Sequence, residues 1–353
     1  MTNVNATLCP NNGRDAWLDN ESVVRNTTCY TGNMRILMTG ATGFLGAYLL
    51  ARLLQQSKPY EVTILKRSSS DLGRIAHLLP QIEFFDLDRQ PLEKAFQSEK
   101  YEVVLHCATN YGRGQIARAH IIEPNLLLPL RLLDFAAEHG TRIFINTDTL
   151  LDKNISDYSL SKQQFREWLR RAPSHMTCID MLLEQFYGPG DDQTKFVAGL
   201  VRALVDEKAE IALTEGMQTR DFIYIDDVAA AFLRILDSPD HPSGYVEYEV
   251  GSGHPTLLRD FIELARTLCG NTTTHLHYGA LPYRPNEPMK VVANISRLQA
   301  LGWNSRWSLR AGLEVTIQSE RTMAGRTARP QLAIPLFPCT ADEYMPIRTR
   351  TDG

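Results

Sequence analysis

Short apolar runs and amphipathic stretches take turns along the first half of the chain. Met34–Thr39 (MRILMT) reads as a buried strand, and a glycine-rich turn follows it. Phe44–Gln56 then sets Phe44, Leu45, Tyr48, Leu49 and Leu53 at helical spacing. Glu61–Leu65, Ile82–Asp86, Val103–Cys107 and Arg142–Asn146 read as four more strands. Asn125–Glu138 and Tyr158–Arg171 read as helices. Strands that are apolar throughout, each followed by a helix, predict an α/β fold with a doubly wound parallel sheet covered on both faces. After about Cys178 the rhythm loosens, and proline and glycine become frequent, as in Tyr187-Gly188-Pro189-Gly190. The expected organisation is a first domain over 34–180 and a smaller lobe over 181–320, partly interleaved with it. Residues 1–33, rich in Asn and Thr and without the apolar stretch of a signal peptide, are expected to form a mobile extension. Residues 321–353, with several prolines, are expected to form an extended tail.

Composition narrows the function classes. Of 353 residues, 43% are hydrophobic and 22% charged, the balance of a globular enzyme, and the net charge is −4. That charge gives no reason to expect a nucleic-acid partner, and no run is apolar enough to expect a membrane span. Cys9, Cys29, Cys107, Cys178, Cys269 and Cys339 are scattered without a CxxC pair, which suits free thiols in a reducing cytoplasm. His275 and His277 lack a third ligand nearby, so no metal is expected, and His106 reads as a structural histidine at a strand end.

The turn after Thr39 is Gly40-Ala41-Thr42-Gly43-Phe44-Leu45-Gly46. Glycines so spaced between a strand and a helix permit a tight turn, a close approach of backbone to pyrophosphate, and helix–strand packing. The helix N-terminus then offers free N–H groups to the anion. This predicts a Rossmann-type nicotinamide-dinucleotide site with Gly40, Thr42, Gly43, Phe44, Leu45 and Gly46 around the cofactor. The second strand runs into Lys66-Arg67-Ser68 rather than an acid, which favours a 2′-phosphate and hence NADPH over NADH or NAD. Asp86 and Leu87, after the third strand, are placed to touch the adenine.

Tyr158 and Lys162 stand four residues apart and share one helix face, downstream of a strand ending in Asn146-Thr147-Asp148-Thr149. Reduction of a ketone builds negative charge on oxygen. Tyr158 can donate the proton and Thr147 can bond the same oxygen. Lys162 is expected to bond the cofactor ribose and lower the tyrosine pKa.

With these parts in place, the chain from Met34 to Glu320 resembles the extended short-chain dehydrogenase/reductase family, in its nucleotide-sugar branch. Tyr187-Gly188-Pro189-Gly190-Asp191, Thr219–Val228 (TRDFIYIDDV), and Arg284-Pro285 ahead of Leu301-Gly302-Trp303 are similar to further motifs of that family. The resemblance implies that Arg220 and Arg284 grip a substrate diphosphate. It also implies that Cys107, Ala108 and Thr109 line the cofactor, and Tyr111, Asp148 and Thr149 the sugar. The strings CATNYG, FINTDT, LEQFYG and EYEVG are similar to CDP-abequose and CDP-paratose synthases, which implies reduction of a 4-keto group on a CDP-linked deoxyhexose. A homodimer is implied as well, and the apolar Leu126–Leu133 stretch could serve it or the core.

Two departures bear on chemistry. Sugar dehydratases of the family carry Thr-Asp-Glu where this chain has Thr147-Asp148-Thr149, so the base of an elimination is missing. Leu182 and Gln185 replace an arginine and an asparagine found in many relatives. The alternatives are an epimerase holding NAD, a reductase of a small phenolic or keto compound, and a non-catalytic dinucleotide sensor.

Overall fold

The computed structural model describes residues 34–324 apart from 58–59, 115 and 239–240. The expectations for 1–33 and 325–353, and for Cys9, Cys29 and Cys339, lie outside the described residues.

The main sheet has seven strands. Six are β1 (Met34–Thr39), β2 (Tyr60–Lys66), β3 (Glu83–Asp86), β4 (Val103–His106), β5 (Ile143–Thr149) and β6 (Thr177–Leu183). The seventh, Gly244–Val250, pairs with β6, and the spatial order is seventh-β6-β5-β4-β1-β2-β3. Every pairing is parallel. Parallel neighbours need crossovers, and helices on both faces supply them. Ile36 and Met38 of β1 face one core layer with Leu49, Leu50 and Phe232, while Leu37 faces the other with Val104, Phe144 and Phe165. That alternation explains why these strands read as unbroken apolar runs: both faces are buried.

Chain order and domain division do not coincide. The helix Ile225–Asp237 and the Gly244–Val250 strand come from the 181–320 segment, expected to be partly interleaved with the first domain, and complete the main sheet and its core. Smaller sheets remain apart from it, one ordered Pro255–Leu257, Thr219–Tyr224, Gln185–Tyr187 and one pairing Glu210–Ala212 with His275–His277. The last described helix runs Leu309–Ala324, so residues 321–324, expected to open a tail, continue a helix instead. Its buried Leu313 and Ile317 explain the extension.

Order in the sheet reverses between β1 and β4, the crevice where ligands of open α/β sheets bind. Gly40 and Gly46 make that crevice possible. Gly40 has φ +70°, and a Cβ there would lie 2.4 Å from the Ala108 nitrogen. A Cβ on Gly46 would lie 2.1 Å from the Gly40 carbonyl oxygen. Because that neighbour is backbone, Gly46→Ala should cost about 2 kcal/mol or more by overpacking. A fall in Tm of several degrees by calorimetry is expected; an unchanged Tm would refute this packing.

Candidate functional site

The C-terminal ends of β1, β4, β5 and β6 open into one continuous cleft of about 1840 Å³. The glycine loop forms its floor at one end. Gly43 accepts no side-chain cap, its N–H bonds the Gly40 carbonyl at 3.0 Å, and the helix Phe44–Leu54 begins directly after it. The first-turn N–H groups of that helix form an anion site. Thr39 Oγ1 accepts from the Cys107 and Ala108 N–H groups at 3.2 Å each and lies 2.8 Å from His106 Nδ1. His106 is therefore structural, as expected, and burial pushes its pKa well down. Gly40, Thr42, Gly43, Phe44, Leu45, Gly46, Leu87, Cys107, Ala108 and Thr109 all line the cleft. Room where a Cβ would clash, together with an open helix N-terminus, fits a dinucleotide pyrophosphate.

Thr147, Tyr158 and Lys162 meet in the same cleft. The helix Asp157–Leu169 starts where Ser156 and Ser159 form a reciprocal capping box, which fixes the phase of Tyr158 and Lys162 one turn apart. Lys162, 1% exposed, donates from Nζ to the Thr147 carbonyl at 2.5 Å. Thr147 Oγ1 donates to the His106 carbonyl at 3.1 Å. The Tyr158 ring stands 5.0 Å from that of Tyr111. Sequence reasoning expected Lys162 to depress the tyrosine, yet the Tyr158 hydroxyl is held well above its ordinary pKa. Burial is the main cause, Tyr111 and Asp148 add to it, and Thr149 and Arg113 pull the other way. Tyr158 thus holds its proton. Burial also lowers Lys162, while Asp148 and Asp180 counteract it.

The Asp148 side chain is fully buried, and Arg166 Nε donates to it at 2.8 Å. Arg166 also lies 3.3 Å from Asp180 and donates to the Thr149 carbonyl at 2.8 Å. Asn146 Nδ2 completes the cluster by donating to Asp180 at 2.7 Å. Burial, then the Asp148 charge, pushes the Asp180 carboxyl well above its ordinary pKa, with Arg166 opposing. Asp148 lines the cleft as expected of a sugar-side residue, but its carboxylate is engaged by Arg166.

Near the second strand the structure divides the expected cations. Lys66 pairs with Asp86 at 2.8 Å, and Ser68 Oγ donates to the same carboxylate at 2.9 Å. Lys66 holds the Asp86 carboxyl below the usual range. Asp86 and Ser68, expected at the cofactor, are thus bonded to each other, Asp86 also to Lys66, and neither lines the cleft. Arg67 is exposed in the cleft and makes no ion pair among the described residues.

At the far end Arg220 is buried and already bonded to Glu287 and to the Thr219 and Pro288 carbonyls, the latter two at 2.8 Å. Arg284 lines the same end, exposed and without an ion pair among the described residues. Tyr111 and Thr149 lie between the two ends. Lys195, Asn125 and Gln218 are among the residues at the cleft that the sequence did not single out. Lys195 Nζ lies 4.6 to 5.3 Å from the Phe186, Tyr111 and Phe44 ring centres and pairs with Asp191 at 2.9 Å. Its one sequence signal was the i, i+4 spacing from Asp191. Asn125, fully buried, accepts from Thr109 Oγ1 and the Asn110 N–H and donates to Ser161 Oγ, tying the cleft wall to the tyrosine helix. Gln218 lines the cleft with a buried Oε1 lacking a partner. Among the described residues no His, Cys, Asp and Glu group could hold a metal.

Fold and cleft define a dinucleotide-binding enzyme of the Rossmann class. Residues 36–251 match the NAD dependent epimerase/dehydratase family, and the chain belongs to that family. CDP-abequose synthase of Salmonella typhimurium is 31% identical over 79% of this chain and 96% of its own. CDP-abequose synthase of Salmonella muenchen is 33% identical over 80% and 96%. Among solved structures, UDP-glucuronic acid 4-epimerase from Bacillus cereus, in complex with UDP-glucuronic acid and NAD, superposes with a TM-score of 0.71. It is 23% identical, with 82% of this chain and all of that one covered, and shows the same fold.

Removing Arg166 would strand two buried carboxyl groups. Arg166→Ala should cost about 3–5 kcal/mol in urea unfolding, the usual penalty for breaking a buried pair. A loss below 1 kcal/mol would show that Asp148 is not held as described.

Proposed function

We propose that this chain reduces the 4-keto group of a CDP-linked 3,6-dideoxyhexose to the alcohol with NADPH. The observation that carries the reading is the meeting of Tyr158, Lys162 and Thr147 with the glycine loop in one cleft that continues to Arg284. The two CDP-abequose synthases support the sugar and the nucleotide. Bound NADPH supplies the hydride. Tyr158, kept protonated by burial, gives its proton to the ketone oxygen as that hydride reaches C4. Thr147 stabilises the developing charge on the same oxygen, and Lys162 orients the cofactor ribose beside it. With Thr149 in the place of a dehydratase base, no carboxylate of that strand end is free to remove a proton from C5.

Arg67 is the residue we assign to the 2′-phosphate, since Lys66 is neutralised by Asp86. That neutralisation is also the specific observation favouring the second reading, a nucleotide-sugar epimerase that keeps NAD bound. No helix among the described residues is long and apolar enough to cross a membrane.

Exposed Leu160 and Trp168, eight residues apart on one helix, and exposed Leu127 on a neighbouring helical segment support the homodimer. Sedimentation should then give the mass of two chains; the mass of one would remove the dimer.

Oxidation of NADPH, followed at 340 nm, should occur with the CDP-linked 4-keto-3,6-dideoxy sugar and fall about 10²–10⁴-fold in Tyr158→Phe. Arg67→Ala should raise KM for NADPH about tenfold or more and leave NADH unaffected, as expected for loss of a charge-assisted bond. Stoichiometric NAD in the purified protein, with no NADPH oxidation, would instead establish the epimerase.

A further inference from the structure

Glu184 follows β6 as a buried wall residue of the cleft, 7% exposed. Its place is fixed by two backbone bonds, one from its N–H to the Val250 carbonyl at 2.9 Å and one from the Phe186 N–H to its own carbonyl at 2.7 Å. The groups facing its carboxyl come from three elements. The Thr219–Tyr224 strand brings Arg220 and Asp221, the Gly244–Val250 strand brings Glu249, and the Gln185 N–H donates to it.

The one cation of that set is committed elsewhere. Arg220 is bonded to Glu287 and two carbonyls. Asp221 is buried, and its carboxyl oxygens accept from the Ser252 N–H and hydroxyl and from the Gly253 and Ala293 N–H groups. Glu249 accepts from the Asn294 N–H at 2.6 Å. An ionised Glu184 would therefore be a further negative charge in a buried, already acidic corner with no cation of its own. Burial and like charges both favour the neutral acid.

We propose that Glu184 is a specificity-determining residue of the substrate half of the cleft, which enters the complex as the carboxylic acid and donates its proton in a hydrogen bond to a diphosphate oxygen of the bound nucleotide sugar. The inference rests on the nucleotide-sugar reading above. A neutral acid beside the arginine end of the cleft adds a donor for an anion without needing a new buried cation. Once ionised, the same group would repel the diphosphate. Burial, then Asp221, pushes the Glu184 pKa up to about 8, with Arg220 opposing. Below that pH the donor is present, and above it the donor is lost and a repelling charge takes its place.

The test is calorimetric titration of the full-length protein with CDP-glucose between pH 6.5 and 9.5. The phosphates of this diester do not titrate in that range. If only the protonated form binds, affinity should fall about tenfold per pH unit above 8, roughly 30-fold from pH 7 to pH 9.5, by the linkage of binding to one proton. Glu184→Gln keeps a donor without a charge, so its affinity should be flat with pH and close to that of the native protein at pH 7. Glu184→Leu should bind weakly at every pH, with thermal melts of both variants confirming the fold. Equal pH dependence in native protein and Glu184→Gln would overturn the role of Glu184. A dependence seen with CDP-glucose but absent with CDP would overturn the diphosphate contact in favour of the hexose. No binding of CDP-glucose at any pH, in protein that still binds NADPH, would overturn the nucleotide-sugar reading itself.

Discussion

Lys162 ties the site together. Its ammonium, almost without solvent, donates to the Thr147 carbonyl and so joins the Asp157–Leu169 helix to the end of β5. A buried cation is costly unless it is bonded and balanced. The balance comes from behind the strand, where Asp148 and Asp180 act on Lys162 against its desolvation. Arg166 closes this arrangement from the same helix, bonding Asp148 and the Thr149 carbonyl. The positions of Thr147, Tyr158 and Thr149 follow from that set of charges, because every one lies on the strand end or the helix that it joins.

This arrangement also separates the chain from the dehydratase pattern within its family. A carboxylate at position 148 next to the sugar would be an acid available for elimination. Here Arg166 draws that carboxylate into the protein, and position 149 carries a hydroxyl. What remains facing the cleft is a tyrosine that holds its proton, which suits donation to a ketone oxygen. At the other end, charge is equally constrained: Arg220 is occupied by Glu287, while Arg284 makes no ion pair among the described residues.

Much of this was legible in the sequence, and the parts that were not share a cause. β1 and the glycine-loop helix stood out because their local pattern and their tertiary role agree: Gly40 and Gly46 are required by contacts a Cβ would break. The helix expected from Asn125 begins earlier, at Arg118, because a π turn over Glu123–Leu127 absorbs Pro124, and periodicity alone does not reveal such a turn. Tyr158, Lys162 and Thr147 were legible as types and spacings. The direction of the Tyr158 pKa was not, since it depends on burial and on Tyr111, a residue 47 positions away. Lys66 and Asp148 read as ligand contacts because a charge in a motif carries no sign of its partner. Asp86 and Arg166, 20 and 18 residues distant, decide their roles. Long-range pairing between charges is the information a single sequence withholds.

In the proposed reaction, hydride passes from the cofactor to C4 of the sugar and stays there. NADPH carrying deuterium at the transferred position, incubated with the CDP-linked 4-keto-3,6-dideoxy sugar, tests it by mass spectrometry and NMR of the product. The expected product is an alcohol with one deuterium, at C4, with an equal amount of NADP formed. Product without deuterium, with the label still on NADPH, would contradict it and assign the chemistry to a cofactor that never leaves the protein.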